Sequence, residues 1–122
     1  MRVMVVDDEA ALLDSTVALL TELGFEAYSA SDARGLVGTL RRVRPDVLMQ
    51  DVRMPGLDIA ALVREIRADA VVADIPILLF SAGMDLEELR AKLGVDGVLE
   101  KPFHPAELRA VLERAARAPV PV

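Results

Sequence analysis

A small set of polar residues lies at or just after the ends of short apolar runs in this 122-residue chain. The set combines three carboxylates, one hydroxyl and one ammonium: Asp7, Asp8, Asp51, Ser81 and Lys101. If the runs are parallel strands, these side chains meet at one edge of a sheet, because ligands bind beyond the carboxyl ends of such strands. Crowded carboxylates need a counter-charge, since like charges raise one another's pKa. Lys101 supplies one positive charge, and a divalent cation that prefers oxygen ligands, Mg²⁺ or Mn²⁺, would supply the rest.

Phosphoryl transfer is the chemistry that this combination favours. A metal held by carboxylates with open positions suits that reaction, because its catalysis depends mostly on positioning and charge neutralisation. Asp51 is the natural nucleophile, since carboxylates form aspartyl-phosphate intermediates. Ser81 and Lys101 would then hold two phosphoryl oxygens, and the metal a third.

Each residue, taken alone, also has an ordinary structural interpretation. Asp7 and Asp8 would cap the first helix, and Asp51 would open a turn. Ser81 would satisfy backbone groups of a loop, and Lys101 would be a solvated surface side chain. The convergence of separate loops on one edge of the sheet favours the chemical interpretation.

The elements that position these residues are predicted from hydrophobic patterning. Consecutive apolar residues indicate strands that are covered on both faces, as in a parallel sheet. Four such runs are Val3–Val6, Val47–Met49, Ile77–Phe80 and Val98–Leu99, and Phe25–Ser29 is a weaker candidate for an edge strand. Amphipathic stretches alternate with the runs, which predicts an α/β fold with a doubly wound sheet.

Helix boundaries are predicted from capping residues. We expect Gly24 to end the first helix, Ser31 to cap the second, Asp58 to cap the third, Asp85 and Glu88 to form a capping box on the fourth, and Pro105 to start the fifth.

Composition narrows the functional classes. With 14 Lys and Arg against 20 Asp and Glu, the net charge of −6 argues against binding to nucleic acid by general electrostatic attraction. The absence of Cys excludes thiolate catalysis and Cys-based metal sites. The first apolar run is too short for a signal peptide, and no run reaches the length of a membrane span, so a cytoplasmic location is expected. We expect one domain at residues 1–117 and a Pro-rich tail or linker at 118–122.

Several motifs, in this order, make the chain similar to the receiver domains of two-component response regulators. They are Val5-Val6-Asp7-Asp8-Glu9, Asp51-Val52-Arg53-Met54-Pro55-Gly56-Leu57-Asp58, Phe80-Ser81-Ala82, Gly94-Val95-Asp96-Gly97 and Lys101-Pro102-Phe103. The resemblance runs from about Arg2 to Arg117. It implies a flavodoxin-like (βα)5 fold with a parallel sheet of order 2-1-3-4-5. A phosphorelay role is also implied, in which a histidine kinase or phosphotransfer protein phosphorylates Asp51.

Specific roles also follow from the resemblance. Asp8 would bind Mg²⁺ directly, Asp7 mainly through water, and Arg53 through its backbone carbonyl, beside Asp51 itself. The peptide bond between Lys101 and Pro102 would be cis. An output domain or partner would dock on the face of helix four, strand five and helix five, and a second copy of the chain, in a phosphorylation-dependent dimer, would be a further partner.

Two residues depart from the family pattern. Val98 stands where receivers usually have Tyr or Phe, and Ile59 where Gly is common. A Val side chain has few χ1 choices and no ring to rotate. We therefore expect Ser81 still to respond to phosphate, with the signal leaving by the following loop and the fourth helix.

Two other classes remain as alternatives. An aspartate-nucleophile phosphatase usually carries a second Asp two residues after its nucleophile, and this chain has Arg53 there. A pseudo-receiver that only binds a partner would not need all the polar positions that are present. We expect a phosphoacceptor signalling domain and not an enzyme with sustained turnover.

Overall fold

Five parallel strands form the centre of the molecule in the computed structural model, which describes residues 1–116. The predicted tail at 118–122 lies outside the described residues. The strands are β1 (Arg2–Val6), β2 (Glu26–Ala30), β3 (Val47–Asp51), β4 (Ile77–Ser81) and β5 (Gly97–Glu100). Their order is β2-β1-β3-β4-β5, which confirms the doubly wound α/β fold and places β2 at an edge.

Helices follow the strands in strict alternation and cover both faces of the sheet. They are α1 (Ala10–Glu22), α2 (Leu36–Val43), α3 (Ile59–Ala68), α4 (Leu86–Leu93) and α5 (Pro105–Ala116). Strand side chains alternate between two cores: Leu78 and Phe80 pack in the cluster with residues of α1 and α5, and Ile77 and Leu79 in the cluster with α2 and α3. No helix within residues 1–116 is long and apolar enough to cross a membrane.

The helix ends follow the capping residues in all but one case. The Asp58 side chain accepts a hydrogen bond from the Ala61 N–H at 3.0 Å, and Asp85 accepts one from the Glu88 N–H at 3.0 Å. The helix α1 ends just before Gly24, and α5 starts at Pro105. These four boundaries agree with the sequence prediction, although among the described residues only the Asp85 half of the predicted capping box is formed.

The prediction that Ser31 caps the second helix is wrong. Asp32 accepts a hydrogen bond from the Arg34 N–H at 2.9 Å and closes a local turn there. Gly35 then takes a left-handed conformation with φ of 66°, which an α-helix does not contain. The helix therefore begins only at Leu36, four residues later than a Ser31 cap would place it.

Candidate functional site

The carboxyl ends of β1, β3, β4 and β5 bring the predicted polar residues together. Asp51 and Ser81 are the last residues of β3 and β4, and Asp7 and Lys101 directly follow β1 and β5. Asp7, Asp51 and Ser81 are buried, Lys101 is partly buried, and Asp8 is exposed. Of these strands, β1, β3 and β4 are buried on both faces, as their continuous apolar runs predict.

Three carboxylates of this set could hold a metal ion. Asp7, Asp8 and Asp51 each offer one carboxylate oxygen, and these oxygens lie within 4.8 Å of one another. The donors are all hard oxygen atoms, which fit Mg²⁺ or Mn²⁺ and suit softer transition metals poorly. Backbone N–H groups orient two of these carboxylates: Asp7 Oδ1 accepts the Glu9 N–H at 3.0 Å, and Asp51 Oδ1 accepts the Arg53 N–H at 3.1 Å.

Lys101 places its ammonium between two of these carboxylates. Its Nζ donates to Asp7 Oδ2 at 3.1 Å and lies 3.7 Å from Asp51 Oδ2. The Lys101 backbone N–H donates to the Ser81 carbonyl at 2.9 Å, which continues the β4–β5 pairing up to the site. The bond between Lys101 and Pro102 is cis, as predicted. The lysine is therefore part of the site and not a solvated surface residue.

Burial makes Asp51 an unusual carboxyl group. It raises the pKa of Asp51 from 3.8 to about 6. The Arg53 N–H and the Lys101 ammonium oppose this rise, and the neighbouring Asp7 adds to it. At neutral pH the Asp51 carboxyl group is ionised, although its burial makes the negative charge unfavourable. A cation near this carboxylate would therefore stabilise the ionised form.

This raised pKa predicts a pH dependence of stability in metal-free protein. The native state binds a proton on Asp51 more tightly than the unfolded chain, so the free energy of unfolding should fall as pH rises from about 4 to about 6. The loss is at most about 3 kcal/mol and is complete above that range. Urea unfolding in the presence of a chelator measures it. The free energy of unfolding of the wild type minus that of Asp51→Asn should show this entire decrease with pH. A difference that does not change with pH would contradict the prediction.

The Ser81 hydroxyl is buried without a hydrogen-bond partner among the described residues. An unsatisfied buried hydroxyl is costly, and native proteins keep few of them. Within residues 1–116, the other buried side-chain polar atom without a hydrogen-bond partner is Oε1 of Gln50. The Nε2 of Gln50 donates to the Asp51 carbonyl at 3.0 Å.

A cleft of about 520 Å³ leads to Asp51. Its lining includes Leu12, Thr16 and Leu19 of α1 and, after β5, Pro102 and Phe103. Sequence reasoning assigned these α1 residues only to a helix, because periodicity does not show which loop lies opposite. Leu12 is 40% accessible despite its apolar side chain, so this part of the cleft exposes apolar surface that the sequence alone does not reveal.

Arg53 contributes a contact that the sequence did not predict. Its Nη2 donates to the Gly83 carbonyl at 3.3 Å, so its side chain links the loops that follow β3 and β4 across the cleft. Ala82 also lines the cleft.

Comparison with known proteins gives a consistent result. The family model described as "Response regulator receiver domain" matches residues 3–113. A probable transcriptional regulator, ycf27 of Guillardia theta, is 35% identical over 123 residues, covering 96% of this chain and 47% of that protein. The chain thus spans about half the length of the curated relatives it matches.

Solved structures agree in fold. The chemotaxis protein CheY4 of Vibrio cholerae superposes with a TM-score of 0.83 at 28% identity, covering 93% of this chain and 97% of that one. The receiver domain of the sensor histidine kinase PA1611 of Pseudomonas aeruginosa superposes with a TM-score of 0.84 at 29% identity, covering 96% and 98%. That structure has a magnesium ion coordinated in its active-site cleft.

Proposed function

The chain belongs to the receiver domain family of response regulators, and we propose that Asp51 is the residue that accepts a phosphoryl group from a histidine kinase or phosphotransfer protein. The observation that carries this assignment is the position of Asp51. Its carboxylate is buried at the end of the cleft, 3.7 Å from the Lys101 ammonium and within 4.8 Å of the Asp7 and Asp8 oxygens. No other carboxylate within residues 1–116 combines these neighbours with access through the cleft.

The residues of the site can perform the transfer as follows. An Asp51 carboxylate oxygen forms a bond to phosphorus as the bond from phosphorus to the donor breaks, and the donor keeps the electron pair. Lys101 holds one phosphoryl oxygen by its ammonium, and the Ser81 hydroxyl donates to a second, which satisfies its unpaired group.

A divalent cation completes the charge balance in this proposal. Asp7, Asp8 and Asp51 would hold Mg²⁺, or Mn²⁺, together with the backbone carbonyl of Arg53. When bound, the ion neutralises charge on the carboxylates and on the incoming phosphoryl group. The close oxygen atoms of the three aspartates support this assignment.

Incubation with Mg²⁺ and a small-molecule phosphodonor, followed by intact mass measurement, tests the proposal. We expect one phosphoryl group per chain, lost on mild base treatment as acyl phosphates are. A chain that gains no phosphoryl group under these conditions, while its Mg²⁺ binding is intact, would be a binding module and not a phosphoacceptor.

A phosphatase mechanism is less well supported by this site. The Arg53 side chain occupies the position at which such an enzyme would carry its acid, and its guanidinium hydrogen-bonds to Gly83. Arginine cannot deliver a proton at neutral pH. We therefore propose a signalling domain without sustained turnover, and steady release of phosphate from a generic ester would contradict that.

The output surface is proposed on α4, β5 and α5. A shallow groove there is lined by Met84, Leu86, Val98 and Val111, and acidic side chains rim it at Glu100 and Glu107. Val98 is only partly buried and offers no ring that could rotate inward. We propose that an output domain, a protein partner or a second copy docks on this face, and that the loop after Ser81 and α4 transmit the phosphorylated state.

A further inference from the structure

The ammonium of Lys101 has an aromatic neighbour in addition to its two carboxylates. Its Nζ lies over the ring of Phe80, 4.6 Å from the ring centroid. Phe80 is in β4, immediately before Ser81, and its side chain is fully buried in the core shared with α1 and α5. The Phe80 ring therefore lies at the boundary between this core and the site.

The ring can attract the ammonium without consuming its hydrogen-bond donors. An ammonium has three N–H groups, and one of them is donated to Asp7 at 3.1 Å. The negative face of an aromatic ring stabilises a nearby cation within about 6 Å, and the attraction is larger where water is excluded. With Lys101 partly buried and Phe80 fully buried, the ring replaces water on one side of the charge.

We propose that Phe80 is a positioning residue, whose ring face seats the Lys101 ammonium beside Asp51 with N–H groups left free for phosphoryl oxygens. This inference rests on the proposed function, in which Lys101 holds the phosphoryl group. An aliphatic residue would fill the core at this position but would leave the cation without that attraction, so it could turn further toward Asp7. The aromatic character of residue 80, and not merely its volume, then determines how well the lysine is placed.

Progressive fluorination of Phe80 separates the effect of the negative charge on the ring face from the effect of the side-chain volume. Phenylalanine with one, two or three ring fluorines withdraws charge from the ring face and changes the packed volume little. Each variant is phosphorylated with Mg²⁺ and a small-molecule phosphodonor, and the initial rate is measured. We expect the rate to fall in step with the number of fluorines, to roughly one fifth with three, while the end point stays at one group per chain.

A second readout reports whether the geometry is retained. Lys92 and Lys101 are the two lysines of the chain, so lysine labelled with ¹³C gives two ε-methylene signals. In the unmodified chain the Lys101 signal should be shifted upfield by the Phe80 ring relative to that of the exposed Lys92. This shift should persist in the fluorinated chains, whose rings stay in place, and should vanish in Phe80→Leu.

Phe25 supplies the matched control. It also has a cation over its ring, Arg109 at 5.7 Å from the centroid, and it packs against the same core. The same fluorine series at Phe25 should leave the rate unchanged. A rate that is flat across the Phe80 series, or that falls equally in both series, overturns the positioning role. If the unmodified chain takes up no phosphoryl group, the proposed function itself fails, and the rates of the variants are not at issue.

Discussion

Asp51→Asn is expected to abolish phosphoryl incorporation from a small-molecule phosphodonor. The amide nitrogen and oxygen of Asn are poor nucleophiles toward phosphorus, whereas the carboxylate of Asp51 lies at the end of the cleft beside Lys101. The loss should be complete within the sensitivity of intact mass measurement, and it should not follow from unfolding. Removing a buried carboxylate whose pKa is raised to about 6 should instead stabilise the metal-free fold at neutral pH.

Asp74→Asn is the matched control, because Asp74 is an exposed acid away from the cleft. It should take up one phosphoryl group at the wild-type rate. Stoichiometric labelling of Asp51→Asn would show that another residue is the acceptor, and the assignment of the site would then be wrong.

Asp8→Asn is expected to weaken Mg²⁺ binding by about 100-fold. Even indirect partners of a metal site contribute roughly 10- to 100-fold in affinity, and a direct carboxylate ligand should reach the upper end. Asp8 is exposed and carries one of the three clustered carboxylate oxygens, so its change should affect the ion far more than the fold. Titration with Mg²⁺ measures the affinity, and the phosphorylation rate at limiting Mg²⁺ should fall in parallel.

Asp14→Asn tests whether general surface charge is responsible. Asp14 is an exposed acid on α1 and changes the net charge by the same amount. Its variant should bind Mg²⁺ as the wild type does. Equal losses of Mg²⁺ affinity in the two variants would show that diffuse electrostatic attraction, and not a specific site, binds the ion. An unchanged affinity in Asp8→Asn would show that Asp8 is not a ligand.

The strand ends are what made the site predictable from sequence. Val3–Val6 and Ile77–Phe80 are apolar without alternation, so each had to be buried on both faces, and the polar residue after each had to lie at the sheet edge. This reasoning placed Asp7 and Ser81 correctly without any knowledge of their contacts. The parallel topology then brings the carboxyl ends of the strands, and the polar residues that follow them, to one edge of the sheet.

Contacts that depend on the path of two loops were not predictable in this way. Ser31 matched the capping pattern, but the Asp32 turn and the left-handed Gly35 delayed α2, which propensity alone does not reveal. Phe80 reads in sequence as one more apolar strand residue. Its place beneath Lys101 depends on the pairing of β4 with β5, which joins residues that are far apart in the sequence.

The location of the phosphoryl group is the most direct test of the central claim. Reduction of the phosphorylated chain with borohydride converts an acyl-phosphate aspartate to homoserine, and peptide mapping by mass spectrometry then identifies the modified position. The account predicts homoserine at position 51, with none at Asp7 or Asp8. Homoserine at another aspartate, or a stable phosphate that resists reduction, would contradict it.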